Sequence, residues 1–430
     1  MSDFTQLLKH NRNYRFTWVG QIVSEAGDHF NNVAVLDLTL RYTHSGFAVA
    51  GIMLSRAIPA IFAGPVAGVL LDRYDRRRIM IASDLLRAVI ALGFIAAVGY
   101  RLTWLLYVLS ALLMGASPFF TAGRSAILPS IASKDELHTA NSLTQTTGWI
   151  TLTIGAYFGG TTVAQFGYQI AFVFNSLSFF VSAFCISRLR SPEGHFRADD
   201  LALNETKVVR PWQEYREGLR CMVSNPLILG IGLLSVGWAS GGGAAQVLFT
   251  LFSEQVFRRG PAGLGELWSI AGVGLVLGGI VGNRLGKTIG FRAYKRTVLF
   301  CFLLHGGAYI VFSQMQSWGW ALFFMGLSRA AVAVSSVLNW SILLKHVENR
   351  FRGRVFSTIE TMNWSTMMLS MLAAGTASVY FSVRAIGATS GIFSSSTAVF
   401  WGLADASGKL PEPALTEDDA AVEIHGDPTS

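Results

Sequence analysis

Apolar residues run along this chain in blocks too long for the interior of a soluble protein. Predominantly apolar stretches of about 18 residues or more occupy roughly 16–40, 46–71, 79–98, 103–123, 140–164, 168–187, 226–251, 264–283, 293–313, 318–344, 355–380 and 385–404. A hydrocarbon layer about 30 Å thick is crossed by about 20 residues of α-helix at 1.5 Å each. Each block therefore predicts one membrane-spanning helix, twelve in all, because a helix bonds its own backbone where lipid offers no partner. The polar segments between blocks are short except for 188–225, which parts the chain six spans from six. The expected architecture is an all-α integral membrane protein with an N-terminal six-helix half at 1–187, a cytoplasmic linker at 188–225, a C-terminal half at 226–404 and an acidic, disordered tail at 405–430.

Composition agrees with that pattern. The chain is 51% hydrophobic and only 14% charged, where soluble proteins carry about 25% charged residues. Its 44 glycines against 11 prolines suit helices whose backbones approach closely in a membrane. The net charge of +8 comes from the loops. With the N-terminus inside, 26 of the 34 Lys and Arg residues fall on the cytoplasmic side and five (Arg41, Arg101, Arg258, Arg259, Arg384) on the other, while Arg56, Arg87 and Arg329 lie within spans. Cytoplasmic loops hold the excess of positive charge, so both termini are expected in the cytoplasm. The basic linker, with Arg188, Arg190, Arg197, Lys207, Arg210, Arg216 and Arg220, would face an anionic leaflet rather than nucleic acid. Met1 to Arg15 is polar and the first apolar block is too long for a signal h-region, so the first helix is expected to be retained. Cys185, Cys221 and Cys301 lie apart, with no spacing for a metal or a disulfide framework.

An internal repeat appears in two loops six spans apart. Gly68-Val69-Leu70-Leu71-Asp72-Arg73-Tyr74-Asp75-Arg76-Arg77-Arg78 follows span 2, and Gly279-Ile280-Val281-Gly282-Asn283-Arg284-Leu285-Gly286-Lys287 follows span 8. Superposition pairs Gly68 with Gly279, Asp72 with Asn283, Arg73 with Arg284 and Arg76 with Lys287. Parallel repeats of this kind build transporters whose substrate site lies between the halves. The first copy resembles the loop signature G-x-L-x-D-R-x-G-R-K of the major facilitator superfamily, with Asp75 in place of the commoner glycine. Its sequence is similar to the branch that includes the enterobactin exporter and macrolide efflux pumps. So are Asn13-Tyr14-Arg15, Gly20-Gln21 and Gly27-Asp28 on span 1, Arg56-Ala57-Ile58-Pro59 and Gly64-Pro65 on span 2, Arg124 with Leu128-Pro129, Ala140-Asn141, and Arg352-Gly353-Arg354-Val355-Phe356 entering span 11.

The signature also has a physical reading. Gly68 would let a neighbouring helix pack closely, and Asp72 can accept hydrogen bonds from a helix N-terminus. The resemblance implies that this helix is span 11, so Asp72 is expected to face the turn near Arg354. A gating set of Gly68, Asp72, Arg73, Arg76, Arg77 and Arg354 follows. The competing reading of the arginines is plain topology. On span 5, Gly155-Ala156-Tyr157-Phe158-Gly159-Gly160 resembles the Gly-Pro-x-x-Gly-Gly core of antiporters of the superfamily, with Ala156 where proline would bend the helix. Generic small-residue packing at Gly155, Gly159 and Gly160 is the alternative.

Ionisable residues inside spans are functional candidates whose partners should be named. Asp28 and Arg56 lie at similar depth on spans 1 and 2, which allows an ion pair. Asp28 is then either structural or a coupling carboxylate that takes up a proton when the arginine moves away. Glu25, one turn from Asp28, would share its site. Asp84 and Arg87 are spaced to pair on one helix face. Arg329 on span 10 and Glu360 on span 11 are candidates to line a cavity, Asp37 and Glu254 near the outer ends read as hydrated, and His305 reads as a packed histidine.

No nucleotide-binding loop is present to drive transport. The eight histidines are scattered, without the clustered set that an integral membrane enzyme would need. An enzyme is not expected, nor are a metal site or a cofactor. The resemblance implies a proton-coupled secondary exporter, functional as a monomer in the bacterial inner membrane, moving a small molecule such as a siderophore-type chelator. The alternatives on the same fold are a macrolide or multidrug efflux pump and an importer of metabolites or iron chelates. For the topology, a periplasmic reporter fused at Gly194 is expected to be inactive and one at Gln165 active; the reverse result at either position overturns the orientation.

Overall fold

The computed structural model describes residues 3–191, 196 and 211–412. A short amphipathic helix, α1 (Asp3–His10), precedes six long ones: α2 (Arg12–Thr43), α3 (Gly46–Arg73), α4 (Arg76–Gly99), α5 (Thr103–Ile131), α6 (Lys134–Phe166) and α7 (Tyr168–Ser187). After α8 (Pro211–Ser224) come α9 (Pro226–Leu251), α10 (Gly260–Gly286), α11 (Phe291–Gln314), α12 (Trp318–His346), α13 (Asn349–Ala377) and α14 (Val383–Ala406), with a π-helical turn at Phe252–Val256 extending α9. The twelve apolar blocks thus coincide with α2–α7 and α9–α14. Eight of these helices are long and apolar enough to cross a membrane. The other four (α2, α6, α13 and α14) are richer in Ser, Thr, Asn and charged residues. Polar side chains of this kind are tolerated at membrane depth where they face the protein interior.

Local chemistry sets the helix ends. The Asn11 side chain accepts from the Tyr14 amide, the Ser45 side chain caps α3 and Asp75 caps α4. Ser133 and Glu136 form a reciprocal capping box at the start of α6. His44, in the left-handed region at φ 51°, closes α2 with its amide bonded to the Leu40 carbonyl.

The described chain forms two compact units. The first is α1–α7 joined by residues 246–273 and 374–383; the second holds α8, most of α9, and residues 274–373 and 384 onward. In the first unit α2 packs along α6 and α7, α3 along α5, and α4 along α5 and α7. Tyr14, Met80, Phe120, Ile127 and Leu128 form a core at one end, where the Tyr14 hydroxyl donates to the Ala140 carbonyl at 2.8 Å. Phe94 stacks on Phe172 with ring centroids 5.0 Å apart. In the second unit α11 packs on α12, around Ile228, Leu234, Val298, Phe302 and Trp401. Outward-facing positions are apolar: Phe62 is 73% exposed, Leu369 69% and Phe400 68%, while Asn31, Asp84 and Asn175 are buried. Apolar outside and polar inside is the arrangement that lipid, not water, selects.

One element departs from expectation. The segment 188–225 was expected to be a loop, but its end folds as α8, with Met222 fully buried in the second core. Gly218 sits so close to α13 that a Cβ there would run into Thr358 Oγ1 and the Arg354 carbonyl. The rest of the expected linker at 192–195 and 197–210, with Arg197, Lys207 and Arg210, and most of the expected tail, 413–430, lie outside the described residues.

Candidate functional site

Glycine and serine bring α7 onto α2 at membrane depth. A Cβ on Gly27 would collide with Ser178 Oγ and lie 2.7 Å from Asn175 Oδ1, so only glycine admits α7 at this distance. Because α4 packs in turn on α7, Arg87 of α4 reaches α2. Its Nη1 is 3.9 Å from Asp28 Oδ2, and its Nη2 donates to Asp84 Oδ1 on its own helix. The guanidinium carbon lies 4.3 Å from the Phe179 ring centroid and 4.9 Å from that of Phe120. Two carboxylates and two aromatic faces, which attract a cation through the ring quadrupole, thus surround one arginine. The Arg87 side chain is 3% exposed, whereas that of Asp28 is 31% exposed.

The expected Asp28–Arg56 pair does not form. Arg56 donates instead to Asn32 Oδ1, one turn further along α2. The cause is packing, since α2 lies along α6 and α7 rather than along α3. Glu25 does not share the Asp28 site. It binds Arg124 of α5 at 3.1 Å, the Thr151 hydroxyl of α6 at 2.8 Å and Gln21 at 2.9 Å. Buried between these networks, the amides of Asn31 and Asn175 have no hydrogen-bond partner among the described residues. Burying such groups unpaired costs roughly 1–3 kcal/mol each, a penalty expected at functional interiors rather than in plain packing.

The loop after α3 is tied down by four of its residues. Arg76 donates to the Ala126 carbonyl at 2.8 Å and to that of Leu71 at 3.4 Å, and Arg77 donates to the Ser187 carbonyl at the end of α7. Asp75 accepts from the Arg78 amide at 3.0 Å and from the Phe196 amide at 3.1 Å, while the Arg76 amide bonds the Phe196 carbonyl at 3.1 Å. Phe196 is buried in the first core. The carboxylate that departs from the family pattern therefore anchors the chain beyond α7. Asp72 and Arg73 are exposed, and neither makes a hydrogen bond or ion pair among the described residues. Arg354 pairs with Glu217 of α8 at 2.9 Å. Gly68 is not a close-packing position, because a Cβ there meets nothing within 4 Å. Close approach occurs at Gly123 instead, where a Cβ would lie 2.6 Å from Met80 Cγ.

On α6 the three expected glycines all carry tight contacts. A Cβ on Gly155 would lie 3.3 Å from Ala26 Cα, and one on Gly159 2.9 Å from Phe30 Cα, so both hold α2. One on Gly160 would lie 2.9 Å from Gly265 Cα of α10 and would run into the Pro261 carbonyl. Near the same end is a network that sequence reading treated as hydrated. Asp37 is fully buried. The Tyr168 hydroxyl donates to its Oδ2 at 2.6 Å, and Arg41 Nε lies 3.0 Å from Asp37 and 2.9 Å from Glu254 Oε1. The i, i+4 spacing of Asp37 and Arg41 was the available signal.

In the second unit, buried Arg329 lies in electrostatic range of Tyr309 and His305. His305 Nε2 is 2.9 Å from Ser394 Oγ, and its Nδ1 is 2.7 Å from Ser328 Oγ, as expected of a packed histidine. Glu360 is exposed and accepts from Trp364 Nε1 at 2.9 Å.

The family model described as Major Facilitator Superfamily matches residues 17–371. The putative bacilysin exporter BacE of Bacillus subtilis (strain 168) is 26% identical over 373 residues, covering 84% of this chain and 89% of that protein. The enterobactin exporter EntS of Escherichia coli O1:K1 / APEC is 25% identical over 367 residues, 81% of each chain. Among solved structures, a bacterial homologue of the iron transporter ferroportin in an inward-facing state superposes with a TM-score of 0.68 at 16% identity, covering 91% of this chain and 98% of the other. The nucleoside transporter NupG superposes with a TM-score of 0.71 at 10% identity, covering 92% and 99%.

Removing one partner from a buried ion pair strands a charge at a cost of about 3–5 kcal/mol, whereas removing both together is much cheaper. Arg87→Met is therefore expected to lower the thermal unfolding temperature of the purified protein, and the double variant Arg87→Met/Asp84→Asn to recover part of the loss. Additive losses in that cycle would show that the two side chains are not coupled.

Proposed function

The chain belongs to the Major Facilitator Superfamily, and from that membership we propose that it is a secondary active exporter driven by proton antiport. It is a multi-pass membrane transporter and not an enzyme. In the proposed orientation both termini are cytoplasmic, the protein works as a monomer in a bacterial inner membrane, and a small molecule leaves the cell by alternating access. Relatives named as exporters over more than four-fifths of this chain support the direction.

The observation that carries the coupling proposal is the position of Arg87 between Asp28 and Asp84. An arginine facing two carboxylates has two arrangements of similar type. With Asp28 ionised, Arg87 is shared; when Asp28 takes up a proton, Asp84 alone retains the cation and α2 is released from α4. Loss of the proton restores the shared state. Asp28 is the member of the trio with access, at 31% side-chain exposure, so it is the proton carrier and Arg87 its positioning partner. Gly68, Asp72, Arg73, Arg76, Arg77 and Arg354 make up the proposed gating set, in which Arg76 and Arg77 hold the loop to α5 and α7 while Asp72 and Arg73 stay exposed for the gating contact. Gly155, Gly159 and Gly160 provide the antiporter-like packing surface. Arg56, Arg87 and Arg329, with Glu25 and Glu360, suit an anionic or chelating substrate.

Asp28→Asn is expected to abolish proton-driven accumulation in inverted vesicles while leaving substrate–substrate exchange intact. Gradient-driven transport with its normal pH dependence in that variant would make Asp28 structural. For the substrate class, deletion of the gene is expected to reduce secreted iron chelator. Unchanged chelator secretion with lost macrolide tolerance would assign the protein to drug efflux instead.

A further inference from the structure

Three of the five basic residues that the charge pattern places outside the membrane, Arg41, Arg258 and Arg259, line one cleft of about 700 Å³ in the first unit. That volume lies in the range of small-molecule sites, about 300–1,000 Å³. Glu254 is the one carboxylate in the lining, and it is already matched by Arg41 at 2.9 Å. Three guanidinium groups against one carboxylate leave the cleft positive. Outer arginines run against the distribution that topology favours, so their convergence here calls for a use beyond orientation.

The backbone adds to the same field. Helix α7 starts on the cleft wall after Gly167, with no side chain capping its first turn, and α10 starts on the wall at Gly260. The first N–H groups of a helix lack intrahelical partners and carry the positive end of its dipole, which favours anions. Glycine keeps the space clear at both starts. Gly260, at φ +59°, would place a Cβ 3.1 Å from Arg41 Nη2, and a Cβ on Gly167, at φ +84°, would project into open space. Arg258 and Arg259 are exposed at the rim.

We propose that this cleft binds an oxyanion, the carboxylate or phosphate of a small molecule or of a lipid headgroup. Arg258 and Arg259 bind it through charge-assisted hydrogen bonds, and the two helix starts face it. An oxyanion there competes with Glu254 for Arg41. The site is independent of export direction and of proton coupling, and it is read by binding rather than flux.

The test is a calorimetric titration of the purified full-length protein with citrate at low ionic strength, where screening is weak. Saturable binding is expected, weakened about tenfold or more in Arg258→Gln/Arg259→Gln. It should be retained in Arg258→Lys/Arg259→Lys and unchanged in Arg101→Gln, an outer arginine away from the cleft. Unchanged unfolding temperatures without citrate establish that the variants are folded. A second arm measures retention of phosphatidylglycerol against phosphatidylcholine on the protein by native mass spectrometry. If citrate does not bind but phosphatidylglycerol retention depends on the same two arginines, the oxyanion is a lipid headgroup. Equal citrate binding and equal lipid retention in the wild type and the double glutamine variant overturn the proposal, as does an equal loss in Arg101→Gln.

Discussion

A guanidinium that water does not reach must be neutralised by the protein, and the first six helices are organised around meeting that demand at Arg87. Asp84 comes from one turn back on the same helix, Asp28 from α2, and the rings of Phe120 and Phe179 from α5 and α7. Four helices therefore converge on one charge. Their convergence depends in turn on Gly27, whose missing side chain lets Ser178 and Asn175 of α7 lie against α2. Replacing an ion pair by apolar groups is often neutral or stabilising in a protein interior, so burying this one implies a use other than holding the fold. The exposure of Asp28 beside a sealed Arg87 is consistent with such a use, since a proton can reach one partner and not the other.

Glycine on α6 sets the second constraint. Gly155 and Gly159 seat the backbone of α2, and Gly160 seats Gly265 of α10. These are backbone-to-backbone contacts, the kind that small residues allow in membranes. The missing proline of the antiporter pattern has a physical counterpart here. A Cβ on Gly265 would run into the Ala156 carbonyl, and one on Gly160 would run into the Pro261 carbonyl. With two backbones this close, helix bending is limited by the neighbour across the contact as well as by any residue within α6.

Much of the fold was legible because lipid imposes a one-dimensional rule: about 20 apolar residues make a span. That rule located α3 at 46–73 from an apolar block at 46–71, and α7 at 168–187 without error. It could not place partners, since spacing along one helix says nothing of which helix lies beside it. Asp84 and Arg87 were legible as a pair because they share a helix. Asp28 was matched to Arg56 by depth alone, and the real partner was decided by α7 packing between α2 and α4. Asp37 and Glu254 read as hydrated because they lie near helix ends, where depth predicts water but a tyrosine hydroxyl and an arginine from neighbouring turns exclude it. Asp75 looked like a deviation from a loop signature until the amides of Arg78 and Phe196 supplied its reason. Helix α8 was hidden because its amphipathic pattern is short and its apolar partner, the core around Met222, is distant in sequence.

The position of the networks along α2 constrains how a proton at Asp28 could be felt elsewhere. Glu25, Asp28, Asn32, Asp37 and Arg41 all lie on this helix, which has 32 residues and no proline. Asp28 and Asp37 are nine residues apart, about 14 Å at 1.5 Å per residue. By contrast, α3 carries Pro59 and Pro65, and α5 carries Pro118 and Pro129, and proline is the usual cause of a helix bend. A change in the attachment of α2 to α4 therefore cannot be absorbed by bending within α2 as readily as in its neighbours. It must appear as a displacement of α2 against α6 and α7, and Gly155 and Gly159 leave no side chains to cushion that contact. The outer end of α2 is held by Arg41, which bridges Asp37 and Glu254. On the proposed mechanism the same helix thus carries the proton site and one side of the Glu254 contact. Coupling between two sites needs a physical element whose state both can bias, and a straight α2 linking Asp28 to Arg41 meets that requirement without any further relay.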